Sequence, residues 1–274
     1  EPKEVIVKNI RKKIELAVDN ELISDVPVCT ILSGGIDSVI ITYLLSKKVK
    51  NLEAFVVSNG INEKKKDDLY YARKAAEFMK IPLNEIIIDE EYVMNNLRDA
   101  IYAVEDFKWV QVSPAVAQLP MSKAIHEKGY KVVFGGEGSD EIFGSYGHIF
   151  AFKWKDDDYH KARIDLIDKL HEKNLVRTNK AMMYGGTVEL RTPFLDKDFV
   201  EYGLGIPPQY KKIDNHWKPL LREAFQGEIP DDILWRPKKT FQVGCHTDFL
   251  QDHKELISEY FQELFDKERK SIFW

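Results

Sequence analysis

Val26-Pro27-Val28-Cys29-Thr30-Ile31-Leu32 runs without a break into Ser33-Gly34-Gly35-Ile36-Asp37-Ser38. An apolar strand that enters a Ser-Gly-Gly turn and then a helix, predicted from Ser38 to about Lys47, is a phosphate cradle. Glycines let the backbone approach an anion without Cβ clashes. The start of the helix aims free N–H groups and a positive dipole end at the same place. The hydroxyls of Ser33 and Ser38 add donors. Asp37 repels a bare phosphate but suits a Mg²⁺ that bridges carboxylate and phosphate. The Gly-x-x-x-x-Gly-Lys-Ser/Thr of the common kinases and ATPases is absent. A glycine-rich turn that holds no ligand is the alternative.

Working outward, residues 3–20 read as an amphipathic helix with Val5, Ile10, Ile14, Ala17 and Val18 on one face. Further strands are predicted at Leu52–Val57, Ile86–Ile88 and Lys131–Phe134. Helices are predicted at 67–79, with Leu69, Ala72, Ala76 and Met79 facing inward, and at 90–104 and about 114–128. Strands alternating with helices at this spacing mean βαβ units and a parallel sheet, here a doubly wound α/β fold. Ligands of such sheets bind at the carboxyl ends of strands, near a switch point. Beyond about residue 150 the pattern is helical with no clear strand, so residues 1–274 read as one domain: an α/β core over about 1–150 and a helical layer over about 151–274.

The chain has 274 residues, 44% of them hydrophobic, and a net charge of -5, which argues against a nucleic-acid surface. Lys64-Lys65-Lys66 reads as an exposed loop tip. Two cysteines, Cys29 and Cys245, are too few and too scattered for a disulfide framework or a zinc site. No apolar run reaches membrane length and no signal-peptide pattern stands in the first thirty residues, so a cytoplasmic location without a membrane partner is the expectation.

Gly135-Gly136-Glu137-Gly138-Ser139-Asp140-Glu141-Ile142-Phe143-Gly144 is the second dense cluster. Three carboxylates within five positions raise one another's pKa unless a cation is present. Asp140 could join Asp37 on Mg²⁺, leaving Glu137 as a base; a solvated acidic turn is the alternative. Arg191-Thr192-Pro193-Phe194-Leu195-Asp196 and Trp235-Arg236-Pro237-Lys238-Lys239-Thr240-Phe241 are open between structural and functional readings. A loop lysine can neutralise a leaving pyrophosphate, and a carboxylate such as Asp196 can hold that lysine.

In order along the chain, these segments, together with Asn179-Lys180-Ala181-Met182 and Leu221-Arg222-Glu223-Ala224-Phe225, resemble the synthetase domain of glutamine-dependent asparagine synthetase. The resemblance runs from about Val5 to about Gly244. It extends to the wider superfamily of ATP pyrophosphatases, which includes β-lactam synthetases. It implies an adenine nucleotide alpha hydrolase-like fold, with ATP and Mg²⁺ as cofactors. Pyrophosphate would lie on Ser33, Gly34, Gly35, Asp37 and Ser38. AMP would lie against Ile31, Val57, Gly135 and Gly136, and the metal on Asp37 and Asp140. Glu137 matches the residue assigned to the proton of the incoming amine, Lys238 a pyrophosphate contact, and Asp196 an aspartate near that lysine. The implied reaction adenylates a small-molecule carboxylate, releases pyrophosphate, and passes the acyl group to ammonia or an amine. Glutamate rather than tyrosine at 137 favours attack by ammonia over the ring closure of β-lactam synthetases.

Two departures stand out. No glutaminase domain with its N-terminal cysteine is present in this sequence, which starts Glu1-Pro2; a removed domain, a separate glutaminase chain and free ammonia or another amine are all open. The stretch Phe107-Lys108-Trp109-Val110-Gln111-Val112-Ser113-Pro114 lacks the arginine that the family offers to aspartate, with Val110 in its place. Aspartate is therefore in question as substrate, and Lys108 is a candidate substitute. The competing readings are an ATP pyrophosphatase acting on tRNA and a nucleotide-binding scaffold without catalysis.

Overall fold

Side chains alternate along the strands and so divide the apolar residues between two faces of one parallel sheet. The computed structural model describes residues 1–58, 67–106, 108–146, 156–172, 174–210 and 217–236, with five isolated residues between 258 and 266. Its strands are β1 (Val28–Ile31), β2 (Ala54–Ser58), β3 (Leu83–Ile87), β4 (Val132–Phe134) and β5 (Glu189–Arg191), in the order β3-β2-β1-β4-β5. Ala54, Val56, Val132 and Phe134 face one apolar layer; Phe55, Val57 and Val133 face the other. Period-two alternation requires this division.

The first layer is filled by α1 (Lys3–Glu21), α2 (Ile36–Ser46) and α3 (Asp68–Met79). The second is filled by α4 (Glu90–Asn95), α5 (Leu97–Val104), α6 (Trp109–Glu127) and, after α7 (Ser139–Phe143) and α8 (Asp156–Asp168), by α9 (Asn174–Gly186). Then come α10 (Lys197–Gly205), α11 (Pro219–Glu223) and α12 (Asp231–Leu234). Helices on both faces make the sheet doubly wound, as expected from the sequence.

The differences from the sequence reading are local. In α1 the buried stripe starts at Ile6, and Val5 points to solvent. The predicted 90–104 helix is broken at Asn96, whose amide donates to the Tyr92 carbonyl (2.8 Å) and leaves its own backbone non-helical. Helix α6 starts five residues before Pro114 and carries Pro114 and Pro120 inside it. Residues 189–191 join the sheet beside β4, so the chain after 150 does contain a strand. Three residues flanked by charge give no alternation to read.

Strand order reverses between β1 and β4. The chain winds outward through β2 and β3, then returns to the other side of β1. A crevice opens at such a switch point beyond the carboxyl ends of the strands. The loops that carry Asp37 and Asp140 both leave the sheet there.

Candidate active site

Helix α2 starts at Ile36, two residues earlier than expected, with Gly35 as its N-cap. Asp37 therefore lies in the first helical turn, where the positive dipole end favours a carboxylate. The two loop glycines do different work. Gly34 has φ +73°, and a Cβ there would stand 2.6 Å from the Asp68 carbonyl and 2.7 Å from the Ala72 nitrogen. Its bare Cα lets the loop press on α3, whereas Gly35 faces the cleft. Gly136 is equally confined, by Asp37 and the Ser38 nitrogen at 2.8 Å, so the two strand-end loops touch backbone to side chain. The Ser33 and Ser38 hydroxyls bond each other at 3.0 Å, and Ser38 also donates to the Gly35 carbonyl.

The three carboxylates of the second loop part company. Asp140 turns toward Asp37. Glu141 is buried, accepting from the Tyr146 hydroxyl (2.5 Å) and the Asn174 amide (3.3 Å). Burial pushes its carboxyl pKa up. One oxygen of Glu137 is buried with no hydrogen-bond partner among the described residues. Burial raises its pKa too, and the positive charge of Arg177 works the other way.

Between Asp37 and Asp140 stands Lys218. Its ammonium lies 2.5 Å from Asp37 Oδ2 and 2.6 Å from Asp140 Oδ1, and its side chain is 1% exposed. Burial opposes the charge, but the two aspartates outweigh it and hold the lysine above its ordinary pKa. Ser139 fixes the other oxygen of Asp37 (2.8 Å). One turn beyond Lys218, Arg222 donates to the carbonyls of Trp217 and Leu234. Arg236 pairs with Asp68 and stacks on Tyr71. Ser33, Gly35, Asp37 and Asp140 line one cleft with Lys218, Arg222 and Arg236. Three buried cations thus stand around a glycine loop, with Asp37, Asp68 and Asp140 in the same lining.

A single cation already contacts both Asp37 and Asp140, so these carboxylates fit a shared divalent ion. Among the described residues no group of three or more His, Cys, Asp or Glu is gathered for a metal. Such an ion would take further ligands from phosphate and water, as Mg²⁺ does.

A family model described as asparagine synthase matches residues 9–164 and 153–273. The chain belongs to the asparagine synthase family. A probable glutamine-hydrolyzing asparagine synthetase of Schizosaccharomyces pombe is 33% identical over 91% of this chain and 49% of its own length. Asparagine synthetase B of Escherichia coli is 32% identical over 91% and 47%. The chain thus spans about half the length of these curated relatives. The solved ammonia-dependent NAD synthetase of Campylobacter jejuni is 18% identical, covering 84% of this chain and 98% of that one, with a TM-score of 0.37.

Of the residues the family resemblance singled out, Ser33, Gly35, Asp37 and Asp140 meet in the cleft. Ile31, Val57, Gly135 and Gly136 sit along the same sheet edge outside its lining. Gly135 spends its N–H on the Arg191 carbonyl (2.9 Å). Asp196 caps α10, accepting from the Asp198 and Phe199 nitrogens. Arg191 ties the end of α1 through the Glu21 and Ile23 carbonyls. Lys238, Cys245 and Lys64–Lys66 lie outside the described residues. Lys218 and Arg177 were missed. The only sequence trace of Lys218 is its four-residue spacing from Arg222. Arg177, on α9, donates to the Val110 carbonyl and the Gln111 amide oxygen, both at 3.4 Å. A guanidinium thus reaches the stretch whose own arginine is absent, while Lys108 is exposed.

Proposed function

We propose that this chain is the synthetase portion of an AMP-forming amide ligase. The observation that carries the reading is the convergence of Asp37, Asp140, Lys218, Arg222 and Arg236 with the Ser33–Ser38 loop in one cleft at the β1/β4 switch point. Three cations beside the glycine loop offer enough positive charge to support a pyrophosphate leaving group.

A substrate carboxylate oxygen attacks the α-phosphorus of ATP, the bond to the β-phosphate oxygen breaks, and pyrophosphate leaves. Lys218, Arg222 and Arg236 place positive charge where the leaving group gains negative charge. Asp37 and Asp140 would hold Mg²⁺, which when bound neutralises phosphate charge. Ammonia or an amine then attacks the acyl carbon, and the acyl–oxygen bond to AMP breaks. Glu137 takes the proton that the nitrogen sheds; its raised pKa makes it a stronger base than an exposed carboxylate. Arg177 gives the acid-binding side a positive charge, which keeps an acidic substrate such as aspartate within reach. Lys238 and Asp196 keep their family roles as proposals, as do Ile31, Val57, Gly135 and Gly136 toward AMP. A glutaminase unit in the same or a separate chain would supply the ammonia.

The test is incubation with ATP, Mg²⁺, ammonium and a panel of amino-acid carboxylates headed by L-aspartate. AMP and pyrophosphate in equal amounts, with an amide product, are expected. ADP as the nucleotide product would contradict the reading.

A further inference from the structure

Lys218 stands where the metal would stand. Its ammonium is at contact distance from one oxygen of Asp37 and one of Asp140, carboxylates contributed by two different strand-end loops. A Mg²⁺ on the same oxygens would sit about 2.0–2.1 Å from each. Metal and ammonium would then be closer than two cations tolerate in a buried site, so the carboxylate pair takes one or the other.

The lysine has little freedom to yield. Its backbone is left-handed (φ 54°, ψ 49°), and Pro219 follows, inside the first turn of α11. Its stem is buried, so the ammonium leaves the aspartates only by turning along the cleft. Arg222 and Arg236 line that path, and both are engaged by carbonyls or by Asp68. Asp68, the third acid in the cleft lining, is paired with Arg236. Pushing it off the aspartates with nothing to receive it leaves a buried charge unpaired, which is costly. A phosphate group in the cleft supplies the missing partner.

We propose that Lys218 is a resident placeholder for the divalent cation. It holds the Asp37–Asp140 pair together in the empty enzyme and shuts the metal out until pyrophosphate oxygens draw its ammonium away. Metal and nucleotide phosphate then enter together, and neither cation is left without an anion. This rests on the assignment of Asp37 and Asp140 as metal ligands made above.

Mn²⁺ binding without nucleotide tests it, followed by electron paramagnetic resonance and calorimetry. Lys218→Met is expected to bind one Mn²⁺ at least about tenfold more tightly than the unaltered protein. Adding Asp140→Asn to that variant should abolish the gain. Equal affinity with and without Lys218, or a gain that survives Asp140→Asn, would overturn the proposal. A second measurement needs no variant. Solvent proton relaxation should show protein-held Mn²⁺ in the unaltered chain only when inorganic pyrophosphate is added. Equal enhancement without pyrophosphate would overturn the placeholder. The two readings separate cleanly: phosphate-dependent Mn²⁺ uptake without AMP formation removes the ligase and keeps Lys218's role. AMP formation with phosphate-independent Mn²⁺ binding does the reverse.

Discussion

The Asp37–Lys218–Asp140 cluster and the Glu137–Arg177–Glu141 cluster both hang on the loop after β4, yet only the first is closed by ion pairs. Lys218 meets its two aspartates at 2.5 and 2.6 Å. Among the described residues Arg177 meets only neutral acceptors, at 3.3 to 3.4 Å, and its buried Nε has no hydrogen-bond partner. One oxygen of Glu137 is likewise unpartnered. A closed cluster is preorganised for charge that is always the same, as a triphosphate's is. An open cluster with orphaned donor and acceptor keeps free energy in reserve for partners that arrive only with substrate. The cluster proposed for phosphate therefore has its charges paired, and the cluster proposed for acyl transfer does not.

The largest effect should come from the closed cluster. Asp37→Asn is expected to lower pyrophosphate release by about 10²-fold or more, since it removes charge from the preorganised side. Pyrophosphate assays on the folded variant check this, and near-normal turnover would erase the distinction. In the open cluster, Glu137→Gln should leave acid-dependent ATP–pyrophosphate exchange within a few-fold and slow amide formation by about 10²-fold. Equal loss of both steps would place Glu137 with the phosphate machinery instead.

Arg177→Met sharpens the contrast further. The charge of Arg177 holds the Glu137 pKa down, so its loss raises that pKa. A base must be deprotonated to act, so the acid limb of the amide-formation pH profile should move to higher pH. An unmoved limb with lower activity throughout would make Arg177 a packing residue.

The smallest effect lies outside both clusters. Glu21, at the end of α1, has a buried oxygen without a partner, and burial lifts its pKa to about 7, helped by the charge of Asp196. The folded chain keeps a proton that the unfolded chain releases from its ordinary value of 4.5 upward. Stability should therefore fall as pH rises from about 4.5 to about 7. Glu21→Gln should flatten that fall and gain about 1–2 kcal/mol, a few degrees in melting temperature, at pH 8. The gain should vanish near pH 4, as thermal unfolding at the two pH values will show.

Strands β1 to β4 and the two aspartates were legible because each sits where pattern and chemistry coincide. Apolar runs end in glycine, and a carboxylate follows within five residues. Gly34 and Gly136 were also legible as glycines that must be glycine, though their missing side chains serve loop packing more than ligand approach. Lys218 was not legible. It lies 181 residues from Asp37, at a left-handed helix start whose conformation nothing in Trp217-Lys218-Pro219 announces. Arg177 stands two residues before a motif that was noticed, but its reach to Val110 depends on α9 packing on α6. Asp196, a carboxylate in a dense motif, uses its Oδ1 to cap a helix, a local role the motif itself does not announce. Distance along the chain hides partners, and a dense motif does not reveal which of its acids also serve as helix caps.

The central claim is an acyl-adenylate formed over the β1/β4 cleft, and oxygen tracing tests it most directly. The acid that supports AMP formation, L-aspartate first, is labelled with ¹⁸O in its reacting carboxylate and turned over with ATP, Mg²⁺ and ammonium. The account predicts one labelled oxygen in the phosphate of AMP and none in pyrophosphate. Label in inorganic phosphate, or AMP free of label while amide accumulates, would contradict it.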